Sequence, residues 1–201
     1  MNTIELIDRL EQDKSLQKEE WIHVIEDDSE ENRKYAAEKA RALGDTYYGK
    51  EIFVRGLIEF TNYCKNDCYY CGIRCSNKKA NRYRLSEEDI LACCEEGDRL
   101  GFRTFVLQGG EDPYYTDDKI VDIVREIKRR YPEHAVTLSI GERERESYER
   151  FFAAGADRYL LRHETANDTH YRKLHPESMS LSHRKQCLRD LKEIGYQTGC
   201  G

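Results

Sequence analysis

The sequence predicts an α/β fold: a parallel (βα) barrel of the TIM type, present as about its first half and preceded by N-terminal helices. Three observations predict it. From residue 51 onward, short apolar runs alternate with longer amphipathic stretches, the pattern of strands and crossover helices. The polar stretches CKNDCYYC, QGGED, SIGE and RHETAN each follow one of those strands. Alternation alone also fits a doubly wound sheet, but four successive strands feeding one rim favour a barrel, whose sites lie at its carboxyl-terminal face. The first fifty residues, by contrast, carry only helical spacing, so residues 1–50 are expected to form a helical cap and residues 51–201 the partial barrel.

In the cap, Ile4, Ile7 and Leu10 share one helical face, and a second helix is expected around Trp21, Val24 and Ile25. Ser29 is placed to cap a third, through NRKYAAEKARALG. The first strand, IFVRGLIEF, delivers the chain to the cysteine loop. Ser86 followed by EED starts the next helix, which ends near Gly101. TFVLQ, AVTLSI and DRYLLR are the next three strands. Their helices are DDKIVDIVREIKRRY, ERESYERFFAAG and SHRKQCLRDLKEIG, and YQTGCG begins a fifth strand. The chain stops inside that strand, which leaves an open edge and predicts a truncated barrel.

A length of 201 residues suits one sizeable domain or part of a larger protein. The formal net charge of −6 argues against nonspecific binding to nucleic acid or anionic membrane. No apolar run approaches the roughly 20 residues of a membrane span. The start, MNTIELIDRLEQDK, is acidic and amphipathic and lacks the regions of a secretion signal, so a cytosolic protein is expected. In a reducing compartment, clustered thiols hold metal more often than they form disulfides. Cys93, Cys94, Cys187 and Cys200 lie outside the cluster and are expected to be small buried hydrophobes.

Cys64, Cys68 and Cys71 can point to one centre from a loop, whereas a helix or strand would spread them. Thiolates are the ligands of iron–sulfur clusters, and a four-iron cubane normally takes four. Three ligands leave one iron open to an exchangeable group, much as a catalytic zinc keeps one position free. Cys75 leaves two alternatives open, a structural zinc or a fully closed cluster. Further along the rim, Gly109 and Gly110 let backbone come close to a ligand. Thr137 and Ser139 share the inward face of the third strand, opposite Val136 and Leu138. Arg162 and Glu164 project together beyond the fourth strand, with His163 on the other side. Arg184, in the first turn of a helix, is placed to clamp a carboxylate.

The C-x3-C-x2-C spacing with Tyr70 before the third cysteine, directly after a first strand, resembles the cluster motif of the radical S-adenosylmethionine (SAM) enzymes. That resemblance implies a [4Fe–4S] cluster on Cys64, Cys68 and Cys71, with SAM chelating the open iron. QGGED is similar to the family's GGE motif, which implies that Gly109, Gly110 and Glu111 meet the SAM amino group. Within the superfamily, TNYCKNDCYYCGIR, NRYRLSEEDI, VLQGGEDPYYTDD, ADRYLLRHETAN and KLHPESM resemble the HydE family of [FeFe]-hydrogenase maturases, in a group that also holds biotin synthase and methylornithine synthase. The resemblance implies that Tyr70, Ser139, Glu164 and Arg184 belong to the SAM site and that Thr137 and Arg162 line the pocket for a second substrate. The implied partners are an electron donor of ferredoxin or flavodoxin type and a HydG-like maturase or its iron–cysteine product. Biotin synthase-like or methylornithine synthase-like chemistry, and a non-catalytic cluster or zinc scaffold, are the alternatives.

Overall fold

A computed structural model describes residues 1–201. The chain divides into two compact units, Met1–Phe53 and Val54–Gly201. The first unit is α1 (Thr3–Asp13), α2 (Lys18–Glu26) and α3 (Glu30–Tyr48). Asn2 and Glu5 close a reciprocal capping box on α1, and Ser29 caps α3 as its position predicted. Its core is thin: Leu6, Ile7 and Leu16 are buried, while Trp21, Ile22 and Ile25 of α2 remain exposed. Polar contacts supplement it, with Lys39 reaching Asp8 at 3.0 Å and Glu11 at 2.8 Å, and the Tyr35 hydroxyl donating to Asp8 at 2.7 Å.

The second unit is a five-stranded, wholly parallel sheet in the order β1-β2-β3-β4-β5. The strands are β1 (Gly56–Thr61), β2 (Thr104–Gly109), β3 (Ala135–Ser139), β4 (Arg158–Leu160) and β5 (Gln197–Gly199). Helices α4 (Glu87–Arg99), α5 (Asp117–Arg130), α6 (Arg145–Ala154) and α8 (Leu181–Ile194) make the crossovers, and a short α7 (Asp168–Leu174) precedes α8. Spatial order follows chain order without the reversal that defines a doubly wound sheet.

The pairing register aligns Ile58, Leu107, Leu138 and Tyr159 across four strands. These residues pack with Phe60, Phe105 and Val136 against Ile90 and Cys94 of α4, Ile120, Val124 and Ile127 of α5, and Tyr148 and Phe151 of α6. Burying each such side chain stabilises the unit by about 1.5–3 kcal/mol. That layer fixes the register, and the register sets which residues emerge at the strand ends.

Three expectations differ from the structure. The first strand begins only at Gly56, because β1 lies at the sheet edge and pairs on one side only; Ile52, at 88% exposure, and Phe53 and Val54 lie outside it. Helix α7 had no signal, since seven residues are too few to display a periodicity. Cys94 and Cys187 are buried as expected, but Cys93 and Cys200 are exposed. Adjacent helical positions differ by about 100° around the axis, so Cys93 turns outward when Cys94 turns in. No helix is long and apolar enough to cross a membrane.

Candidate cofactor and metal site

The loop after β1 contains only a single bridge, Thr61 to Arg84, so its backbone must find other partners. Arg82 supplies many of them. Its guanidinium donates to the carbonyls of Asn62, Ile73 (2.8 Å), Arg74 (2.7 Å) and Asn77 (3.2 Å). The Lys65 amide donates to the Glu111 carbonyl and the Tyr69 amide to that of Leu174, each at 2.9 Å. The loop is thereby tied to the ends of both β2 and α7.

Cys64, Cys68 and Cys71 emerge from this loop as half-buried free thiols on the wall of one cavity of about 290 Å³. Burial pushes the Cys64 thiol up, and pushes Cys68 up to about 11 with the neighbouring Cys64 and Cys71 adding to it. Cys64 and Cys68 therefore resist ionisation until a cation offsets their charge. Cys75 is exposed and lines a separate depression. No three His, Cys, Asp or Glu side chains gather tightly enough to hold a single metal ion.

The cavity brings together, from four different loops and α8, Tyr70, Gly109, Gly110, Glu111, Ser139, Arg162, Glu164 and Arg184. Of the residues expected there, only Thr137 is absent from the lining. Its hydroxyl is buried without a partner, one pleat deeper along β3 than Ser139. The diglycine has a different use from the one expected at Gly110. A Cβ there would lie 2.2 Å from the Tyr63 carbonyl oxygen and 2.7 Å from the Cys64 Cβ, so its bareness lets the cysteine loop itself approach β2. Asp112, also in QGGED, is 1% exposed and fixed by Arg84 at 2.6 and 2.9 Å and by the Thr61 hydroxyl at 2.8 Å.

The loop after β3 organises two of the charged groups. Glu111, 8% exposed, accepts the Glu142 amide at 2.9 Å and faces the Lys65 ammonium at 3.3 Å. It packs against Gly141, which has φ +79° and where a Cβ would fall 2.1 Å from the Glu111 Cγ. The Glu142 carboxylate meets Arg184 Nε at 2.8 Å. The contact is close but not aligned as a hydrogen bond, so Glu142 Oε1, Arg184 Nε and the nearby Tyr171 hydroxyl remain buried with unmet hydrogen-bonding capacity. Burial pushes the Glu142 carboxyl up and Arg184 pulls it back only in part. Glu142 escaped the sequence analysis, although its place in SIGE at the end of a strand was signal enough.

Across the cavity the Tyr70 hydroxyl lies 3.2 Å from His175 Nε2 and 3.4 Å from Glu164 Oε1. Glu164 has φ +63°, a left-handed backbone conformation that costs a non-glycine residue about 1–3 kcal/mol and clusters at ligand sites. His163 points instead to the Cys200 carbonyl at 2.7 Å.

Soft thiols beside an arginine and a buried acid, Arg184 and Glu142, with unmet hydrogen bonds suit an iron–sulfur centre together with a zwitterionic ligand, and do not suit a hard cation, which would take oxygen ligands. A parallel βα sheet presenting that donor set at its strand ends defines an iron–sulfur enzyme of the SAM-using class, and the chain belongs to the Radical SAM superfamily, whose profile matches residues 58–200. Members of that superfamily use a [4Fe–4S] cluster and SAM.

The chain is 52% identical over 155 residues to the [FeFe] hydrogenase maturase subunit HydE of Thermotoga maritima, a match covering 77% of this chain and 44% of that protein. Among solved structures, methylornithine synthase (PylB) superposes with TM-score 0.84 at 30% identity over 96% of this chain and 57% of its own. HydG, a maturase of the [FeFe]-hydrogenase, superposes with TM-score 0.86 at 25% identity over 99% and 45%. The chain thus spans about half the length of these relatives.

Proposed function

We propose that this chain carries the SAM-cleaving half of a HydE-like enzyme acting in maturation of the [FeFe]-hydrogenase active-site cluster. The observation that carries the proposal is the opening of three free thiols and of Arg184, 7% exposed, onto one cavity. When bound, the reduced cluster supplies one electron that divides SAM into methionine and a 5′-deoxyadenosyl radical. Cys64, Cys68 and Cys71 hold the cluster. Arg184 would meet the methionine carboxylate, with its charge held in the cavity by the Glu142 carboxylate at 2.8 Å. Glu111, with the backbone of Gly109 and Gly110, receives the amino group. Tyr70, Ser139 and Glu164 complete the cofactor wall, and Arg162 with the deeper Thr137 serves the second substrate.

The sheet is read as part of a barrel wall and residues 1–50 as its helical cap. A ferredoxin or flavodoxin supplies electrons, and a HydG-like maturase or its iron–cysteine product supplies the substrate. Eight unpaired cysteines fit a cytoplasmic location. The likeness to methylornithine synthase supports a second reading, the same radical used on an amino-acid carbon skeleton. Anaerobic reconstitution followed by EPR of the reduced protein tests the proposal. A cubane signal that changes shape with SAM, and release of 5′-deoxyadenosine, are expected; a signal indifferent to SAM refutes it. Turnover of an iron–cysteine complex, set against formation of methylornithine, separates the two readings.

A further inference from the structure

Between Cys64 and Arg84 the chain places Lys65, Arg74, Lys78, Lys79, Arg82 and Arg84 against the single acid Asp67, in a protein whose formal net charge is −6. Three of these cations are engaged in the fold, Arg74 on the Cys71 carbonyl at 3.0 Å, Arg82 on loop carbonyls and Arg84 on Asp112. Lys65 reaches Glu111 yet keeps 58% of its side chain exposed. Lys78 and Lys79 are exposed and no acid pairs with them. Lys78 lines a second depression, about 350 Å³, together with Tyr63, Cys64, Cys75, Asn77 and Arg82, and Lys79 follows it in the chain. Cys64 lines this outer depression and the inner cavity alike, so one residue separates the cofactor site from the basic outer surface.

We propose that this basic face is the docking surface for a small acidic one-electron donor protein of the flavodoxin or ferredoxin class, with Cys64 as the point of electron entry. The inference rests on the cluster assignment above. Lys65, Lys78 and Lys79 are all exposed, and of the three only Lys78 lines the depression, which fits an extended acidic face better than a small anion held in it. In a negatively charged protein such a patch steers an acidic partner to one orientation and repels it elsewhere. One electron leaves the donor's reduced flavin or iron–sulfur centre and enters the centre held by Cys64. The donor is oxidised by one electron, and no atom or proton is transferred.

The test is the binding of a fluorescein-labelled flavodoxin to the 201-residue chain and to its Lys78→Glu/Lys79→Glu variant. Both lysines are solvent-exposed, so the variant keeps the fold. The dissociation constant is expected to rise at least about tenfold in the variant, and the wild type to weaken comparably between about 20 and 300 mM salt. In reconstituted protein, flavodoxin-driven release of 5′-deoxyadenosine should fall with binding, while dithionite-driven release stays equal in both. Equal dissociation constants, or tighter binding of a single-stranded RNA than of flavodoxin, would overturn the docking surface. Failure of dithionite to release 5′-deoxyadenosine from either protein would instead strike at the radical chemistry, and the binding comparison would still decide the surface.

Discussion

Replacing Gly141 with alanine tests the cavity's architecture at its tightest point. The residue sits at φ +79°, and the added methyl would fall 2.1 Å from Glu111 Cγ, 2.5 Å from Cδ and 2.3 Å from Oε1. Left-handed backbone costs an L-residue about 1–2 kcal/mol, which for a chain of this size lowers the melting temperature by about 2–8 °C. The clash adds a second effect. Glu111 is nearly buried and anchored at 2.9 Å to the Glu142 amide, so it must leave that position to make room. Losing one charge-assisted hydrogen bond to the SAM amino group costs about 1.5–3 kcal/mol, or about ten- to 150-fold in affinity.

Gly155→Ala is the matched control. It has φ +112° and a Cβ that meets only the flexible Lys128 Cγ at 2.7 Å, on the helix side and away from the cavity. Equilibrium dialysis of SAM against reconstituted protein, with thermal unfolding in parallel, should show both variants destabilised and only Gly141→Ala impaired in binding. If Gly141→Ala binds SAM within twofold of wild type, Glu111 does not serve the amino group.

Three other outcomes are expected. Cys64→Ser, Cys68→Ser and Cys71→Ser should each lose iron on reconstitution while Cys75→Ser retains it; loss in Cys75→Ser would mean a closed four-ligand site. Arg184→Met should weaken SAM about ten- to a hundredfold, with Arg184→Lys between it and wild type, because a lysine cannot keep both Glu142 and a ligand carboxylate. Binding within twofold of wild type would exclude Arg184 from the carboxylate. Burial alone would raise the Asp112 carboxyl, but Arg84, Thr61 and the Tyr114 amide hold it below its ordinary 3.8. The folded state therefore gains stability above 3.8 and loses it as pH falls through the lower folded value. Arg84→Leu should cost about 1.5–3 kcal/mol in urea unfolding at neutral pH and progressively less as pH falls below 3.8; a cost that does not shrink with falling pH would refute the pairing.

Features carried by local sequence were legible. The caps at Ser29 and Ser86 and the apolar runs of β2 and β3 follow from spacing within one segment, as does the C-x3-C-x2-C loop. Features that depend on a second segment were not. Helical position places Arg184 in a first turn, but only the loop after β3 decides that it is buried against Glu142. Strand alternation puts Thr137 and Ser139 on one face, yet it says nothing of depth, and the two differ by about 6.6 Å along the strand. That interval separates a residue on the cavity wall from one beneath it. Gly110 was legible as a place of close approach, but not what approaches, because the Tyr63 backbone and the Cys64 Cβ come from another strand's loop.

Arg82 has a consequence beyond tying down carbonyls. A loop of this length without helix or strand would ordinarily sample many shapes, and the entropy of choosing one would be charged against whatever it binds. Here a single planar cation gathers four carbonyls, from Asn62 to Asn77, around itself, and so works as a mould that is full before any metal arrives. The backbone that carries the three thiols is then ordered in advance, unlike that of a zinc finger, which folds only on its ion. Inserting an iron–sulfur cluster into this chain is thereby closer to seating a part than to folding around one.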